Sequence, residues 1–92
     1  MPSLDDVLVT SERVVTREAE GELVVVLPEK GKFVVLNATG AEMVQLADGE
    51  RTLGEIAAEI AERFDADLDR VQTDVLTFAQ DLSSRGVLVP RS

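Results

Sequence analysis

The sequence predicts an α+β domain, a three-stranded antiparallel sheet followed by three helices. Three observations carry this. β-Branched residues crowd the positions before Asn37, Ala, Glu and Leu recur at helical spacing after it, and no internal repeat or low-complexity tract breaks the chain. Ninety-two residues with 45% apolar content suit one domain over 1–92, with residues 1–11 free to be flexible. Aromatics at 3% and no Trp require a core of Val, Leu, Ile and Ala.

Taken in order, Val7-Leu8-Val9 and Val14-Val15 are short apolar pieces, and the second predicts a strand. Leu23-Val24-Val25-Val26-Leu27 is too short for an ordinary helix, rich in β-branched residues, and bounded by Gly21 and Pro28. Pro28-Glu29-Lys30-Gly31 then supplies a turn, Pro fixing φ and Gly free to take a positive value. Phe33 to Leu36 follows as the hairpin partner, which completes a meander. Phe33 and Val35 point to one face of that strand, Val34 and Leu36 to the other. Both pairs are apolar, so cover is expected on both sides.

Three helices follow from their caps. Thr39 with Glu42 fits a capping box ahead of Met43, Leu46 and Ala47, with Gly49 as a stop. Thr52 with Glu55 repeats the device ahead of the stripe Leu53, Ile56, Ala57, Ile60, Ala61 and Phe64. Asp69 and Gln72 are the expected caps of a third helix that turns Val71, Val75, Phe78 and Leu82 inward and stops at Gly86. Val87-Leu88-Val89 closes the chain as a short strand or extended tail. Phe33, Phe64 and Phe78 are by default core, with Phe33 and its neighbours the exception.

Composition excludes much chemistry. With no Cys and no His, disulfides, thiolate nucleophiles, imidazole bases and the usual zinc ligands are absent, so no enzyme, cofactor or metal site is expected. Asp65, Asp67 and Asp69 alternate as in a calcium loop, yet the sharp-turn Gly and closing Glu are missing, which favours a solvated acidic loop beside a helix start. The opening Met1-Pro2-Ser3-Leu4-Asp5-Asp6 has neither a basic region nor a long apolar run. No signal peptide or spanning helix is expected, and the cytoplasm is the expected location.

Three helices after a small sheet resemble a winged helix-turn-helix. A DNA-reading helix, however, needs exposed Arg, Lys, Asn or Gln, and the third helix offers Asp69, Asp74 and Asp81 against Arg70 and Arg85. Eighteen acidic against nine basic residues give a net charge of −9, which repels phosphate backbones and anionic lipids. Asp81-Leu82-Ser83-Ser84 has the Asp and Ser of an acyl carrier site, but at the end of the last helix, where carriers start a helix near mid-domain. The DNA-binding and carrier readings therefore rank second and third.

The segments Leu23 to Glu42 (with Leu36-Asn37-Ala38-Thr39-Gly40-Ala41 at the strand-to-helix junction), Asp48-Gly49-Glu50-Arg51-Thr52, Val71 to Val75 and Leu82 to Leu88 resemble the PqqD family. Its members are recognition elements that bind the leader of precursor peptides of ribosomally synthesised and post-translationally modified natural products (RiPPs). The resemblance covers roughly residues 12 to 89. Where many relatives carry aromatics in the first helix and third strand, this chain has Met43-Val44 and Val34 or Val35.

The resemblance implies that the leader adds as a fourth strand beside Lys32, Phe33, Val34, Val35 and Leu36, in a groove walled by the third helix. Leu76 and Ala79 are then expected along that wall, and Arg70 as the partner of an acidic leader residue. The implied partners are the precursor peptide and a modifying enzyme, such as a radical SAM protein or a leader peptidase, with the chain a monomer or weak dimer. Pyrroloquinoline quinone, a lasso peptide or a radical-SAM-modified peptide fits equally as the product.

Overall fold

The structure, a computed structural model, describes residues 2–91. Val7–Thr10 forms β1, Val15–Ala19 β2, Glu22–Leu27 β3 and Lys32–Leu36 β4. Ala38–Leu46 forms α1, Asp48–Thr52 β5, Leu53–Arg63 α2, Leu68–Ser84 α3 and Leu88–Pro90 β6. The predicted meander is present in the order β2-β3-β4, antiparallel throughout. Pro28–Lys30 makes a single 3-10 turn, and Gly31, at φ +63°, takes the left-handed conformation that returns the chain into β4.

A second sheet was not expected. β1, within the lead-in of residues 1–11, pairs antiparallel with β5 on one side and β6 on the other. Asp48 to Thr52, where Gly49 was expected as a helix stop, forms β5. These partners lie far apart in sequence, so no local pattern announces them. The Asp48 carboxylate nonetheless keeps a turn-like role, accepting the N–H groups of Glu50 at 2.9 Å and Arg51 at 3.2 Å. The Glu50 N–H foremost, with help from Arg51, holds that carboxyl below its ordinary range.

Of the three predicted caps, one stands. Thr52 Oγ1 accepts the Glu55 N–H at 3.1 Å and the Glu55 carboxylate accepts the Thr52 N–H at 2.9 Å, a complete capping box. At α1 the cap is Asn37, not Thr39: its extended backbone and side-chain oxygen catch the Gly40 N–H at 3.0 Å, so the helix starts earlier than expected. Glu42 is left to pair with Arg63. α3 begins at Leu68 behind Asp67, and neither Asp67 nor Asp69 caps it through a side-chain bond.

One core joins the inner face of β3 to the three helices. Leu23, Val25 and Leu27 alternate inward, while Val24 and Val26 stay half-buried on the outer face. Met43, Leu53, Ile56, Ile60, Val75 and Leu82 are among the fully buried side chains. On α3 the inward row is Val71, Val75, Ala79 and Leu82, with Phe78 half-buried at its margin. Positions 78 and 79 straddle the same stripe. The small residue occupies the close approach, and the large ring is displaced outward. None of the three Phe is fully buried: Phe33 is 67% exposed and Phe64 45%. The cover expected on both faces of β4 is found on one only.

Candidate functional site

Strand alternation sets the geometry of β4. Val34 and Leu36 face the core, half-buried and buried, and Lys32 shares their side of the pleat at the exposed start of the strand. Phe33 and Val35 face outward beside Val26 and Val24 of β3, and Val26 in turn neighbours Val15 of β2, which makes an open apolar face.

β4 pairs with β3 alone, so its other edge is free among the described residues. Successive residues of such an edge turn their N–H and C=O alternately toward β3 and away from it, leaving a row of unmatched groups. β2 is the opposite edge of this sheet; all five of its residues are exposed, and it carries Arg17 and Glu18. Charge on an edge discourages strand addition. Lys32-Phe33-Val34-Val35-Leu36 is charged at one end only.

Two cavities flank the ends of β4. At the start of the strand, a cavity of about 170 Å3 lies between Lys32 and Val34 on one side and Ser84 and Arg85 on the other. Past its end, a cavity of about 410 Å3 lies between Ala38 and Thr39 of α1 and Arg70, Val71 and Asp74 of α3, with Phe64 and Asp67 also at its wall. At 3.6 residues per turn, Arg70, Asp74, Phe78 and Arg85 share one flank of α3. Of these, Arg70 and Asp74 line the larger cavity and Arg85 the smaller.

The site residues expected from the sequence separate accordingly. Lys32, Phe33, Val34, Val35 and Leu36 form the free edge strand, and Arg70 lies at the far end of the groove. Leu76, two residues from both Asp74 and Phe78, projects from roughly the opposite side of α3. Ala79 is 0% exposed and belongs to the core, because the stripe that packs α3 inward runs through it. Asp74, Lys30 and Arg85 were missed. Helical spacing from Arg70 was a usable signal for Asp74 and Arg85; nothing local brings Lys30 to α3. The Ser84 hydroxyl, raised by the carrier reading, donates to the Asp81 carbonyl at 2.7 Å in the last turn of α3.

Comparison with known proteins follows the same outline. A family model described as coenzyme PQQ synthesis protein D (PqqD) matches residues 22–88, which run from β3 to the first residue of β6. The chain belongs to the PqqD family. Among curated members, the PqqA binding protein of Rhizobium meliloti (strain 1021) is 43% identical over 68 residues, 74% of this chain and 67% of that protein. The PqqA binding protein of Bradyrhizobium diazoefficiens is 31% identical over 65 residues, 71% of this chain and 61% of that one. This PqqD-family chain therefore spans about two thirds of the length of these relatives.

Among solved structures, the PqqD truncation of Methylobacterium extorquens PqqCD, a stand-alone RiPP recognition element, superimposes with a TM-score of 0.81 at 26% identity, covering 97% of this chain and 95% of that one. TbiB1 in complex with the TbiA(beta) leader peptide superimposes at 0.77 over 87% of this chain and 93% of that one; at 24% identity it shows that the PqqD-family fold is shared.

Proposed function

We propose that this chain binds the leader segment of a ribosomally made precursor peptide by β-strand addition at β4 and presents it to a modifying enzyme of RiPP biosynthesis. One observation carries the reading: among the described residues the apolar strand Lys32–Leu36 is paired on one side only, and its free edge lies beside the α3 groove. Its membership of a family whose curated members are PqqA binding proteins supports a precursor of the PqqA kind. The role is binding, without catalysis, in the cytoplasm. No helix among the described residues is long and apolar enough to cross a membrane.

Edge addition supplies enough free energy for a delivery protein. About five backbone hydrogen bonds at roughly 0.5–1.5 kcal/mol each, with a few buried apolar side chains, give a gross gain of several kcal/mol. Ordering a flexible leader subtracts part of it, leaving a Kd of about micromolar to high nanomolar.

The test is a fluorescence titration with a synthetic leader peptide of a PqqA-type precursor, run on wild type, Val34→Pro and Val35→Pro. One of these adjacent residues directs its N–H to β3 and the other to the free edge. Proline at the first position breaks the β3–β4 ladder and lowers stability; at the second it leaves a folded protein that has lost leader affinity. Two folded proline variants with unchanged affinity would remove β4 as the docking edge.

A further inference from the structure

The two ends of the groove differ in charge. At the end of β4, Arg70 shares its cavity with Asp67 and Asp74, so the carboxylates there outnumber the guanidinium. At the start of β4 the smaller cavity is lined by Leu27, Lys30, Lys32, Val34, Ser84 and Arg85. Three of these six residues are cationic and none is acidic, in a chain with only nine basic residues. The tertiary fold gathers a third of the molecule's positive charge at one end of the strand.

The three cations are not equally engaged. The Lys30 ammonium donates to the Arg85 carbonyl at 3.1 Å, where it also complements the C-terminal end of the α3 dipole. The Arg85 guanidinium lies 3.1 Å from the Asp81 carboxylate, one turn back on α3. Lys32 forms no ion pair among the described residues. It stands at the mouth of a cavity already positive, with Val34 next to it on the same side of the strand.

We infer that the start of β4 is a carboxylate subsite, in which Lys32, backed by Lys30 and Arg85, receives an Asp or Glu side chain of the bound peptide. The inference rests on the strand-addition reading and deepens it. A peptide strand laid along β4 turns every second side chain to the groove side, so the residues opposite Lys32 and Val34 are two apart. The preferred guest therefore carries an acidic residue two positions from an apolar one, the acid over Lys32 and the apolar side chain over Val34. The volume of about 170 Å3 leaves room for a short carboxylate with a few waters. Arg70, among carboxylates, is the weaker anion partner.

The experiment titrates the same labelled leader peptide, and a version with its Asp and Glu residues changed to Asn and Gln, against wild type, Lys32→Glu, Lys32→Arg and Arg70→Glu, with circular dichroism to verify folding. Lys32→Glu is expected to weaken the natural leader roughly three- to tenfold at low salt, since charge-assisted contacts of this exposure are worth that much. The amide peptide binds wild type with a similar loss and is insensitive to Lys32→Glu, Lys32→Arg restores the natural affinity, and Arg70→Glu costs less. Equal affinity of the two peptides for wild type, or a greater loss at Arg70 than at Lys32, overturns the carboxylate subsite while leaving strand addition intact. Absence of leader binding by wild type overturns strand addition itself.

Discussion

Phe33 and Leu36 stand three residues apart on one strand, one 67% exposed and the other 4%. Their energetic roles should differ as sharply. Leu36 is in the core cluster, and its truncation removes buried contacts and leaves a cavity. Leu36→Ala is expected to cost about 2–5 kcal/mol. Phe33→Ala removes a ring that mostly contacts water, so its unfolding midpoint in urea should stay within about 0.5 kcal/mol of wild type. A loss at Phe33 comparable to that at Leu36 would mean that the outer face of β4 is covered in solution. An exposed Phe in a chain with only three aromatics costs the fold solubility, which is reasonable for a surface kept for a partner.

At the scale of elements, the caps decide where helices begin, and α1 separates two assignments cleanly. Asn37 holds the Gly40 N–H, whereas Thr39 sits inside the first turn. Asn37→Ala is expected to cost about 1 kcal/mol, comparable to Thr52→Ala at the α2 capping box, and Thr39→Ala less than either; chemical denaturation ranks the three. Thr52 was legible because its box has one candidate and one partner three residues on. Leu36-Asn37-Ala38-Thr39-Gly40 offers two competent caps, and the choice falls to the residue where the strand leaves its extended conformation. The inward stripe of α3 was legible in the same way, save at positions 78 and 79, which lie on either side of its axis. Only the close packing of the helix decides between Phe and Ala there.

For the whole molecule, binding and stability are linked. A leader that binds the folded chain alone stabilises it by RT ln(1 + [L]/Kd), about 2.7 kcal/mol at a hundredfold excess over Kd. With roughly 4–8 °C per kcal/mol for a domain of this size, thermal unfolding should shift upward by about 10–20 °C. A saturating leader that leaves the transition unmoved would contradict specific binding to the native state. The net charge of −9 works in the same direction as the proposed subsite: the few cations stand out, and an acidic guest residue finds one favourable end of the groove in an otherwise repelling field.

What the sequence determined by itself is whatever depends on neighbours along the chain: the alternation of β3 and β4, the turn at Pro28 to Gly31, the Thr52 box, the helical stripes, and the missing chemistry of a chain without His or Cys. Tertiary structure decided the rest. It paired β1 with β5 and β6, left β4 open on one side, set Arg70 and Arg85 of α3 at the two cavities in place of Leu76 and Ala79, and brought Lys30 and Lys32 to Arg85. Periodicity and capping are set by interactions a few residues long. Which edges and flanks meet depends on how the shapes of distant segments fill one core, and no short stretch of sequence contains that.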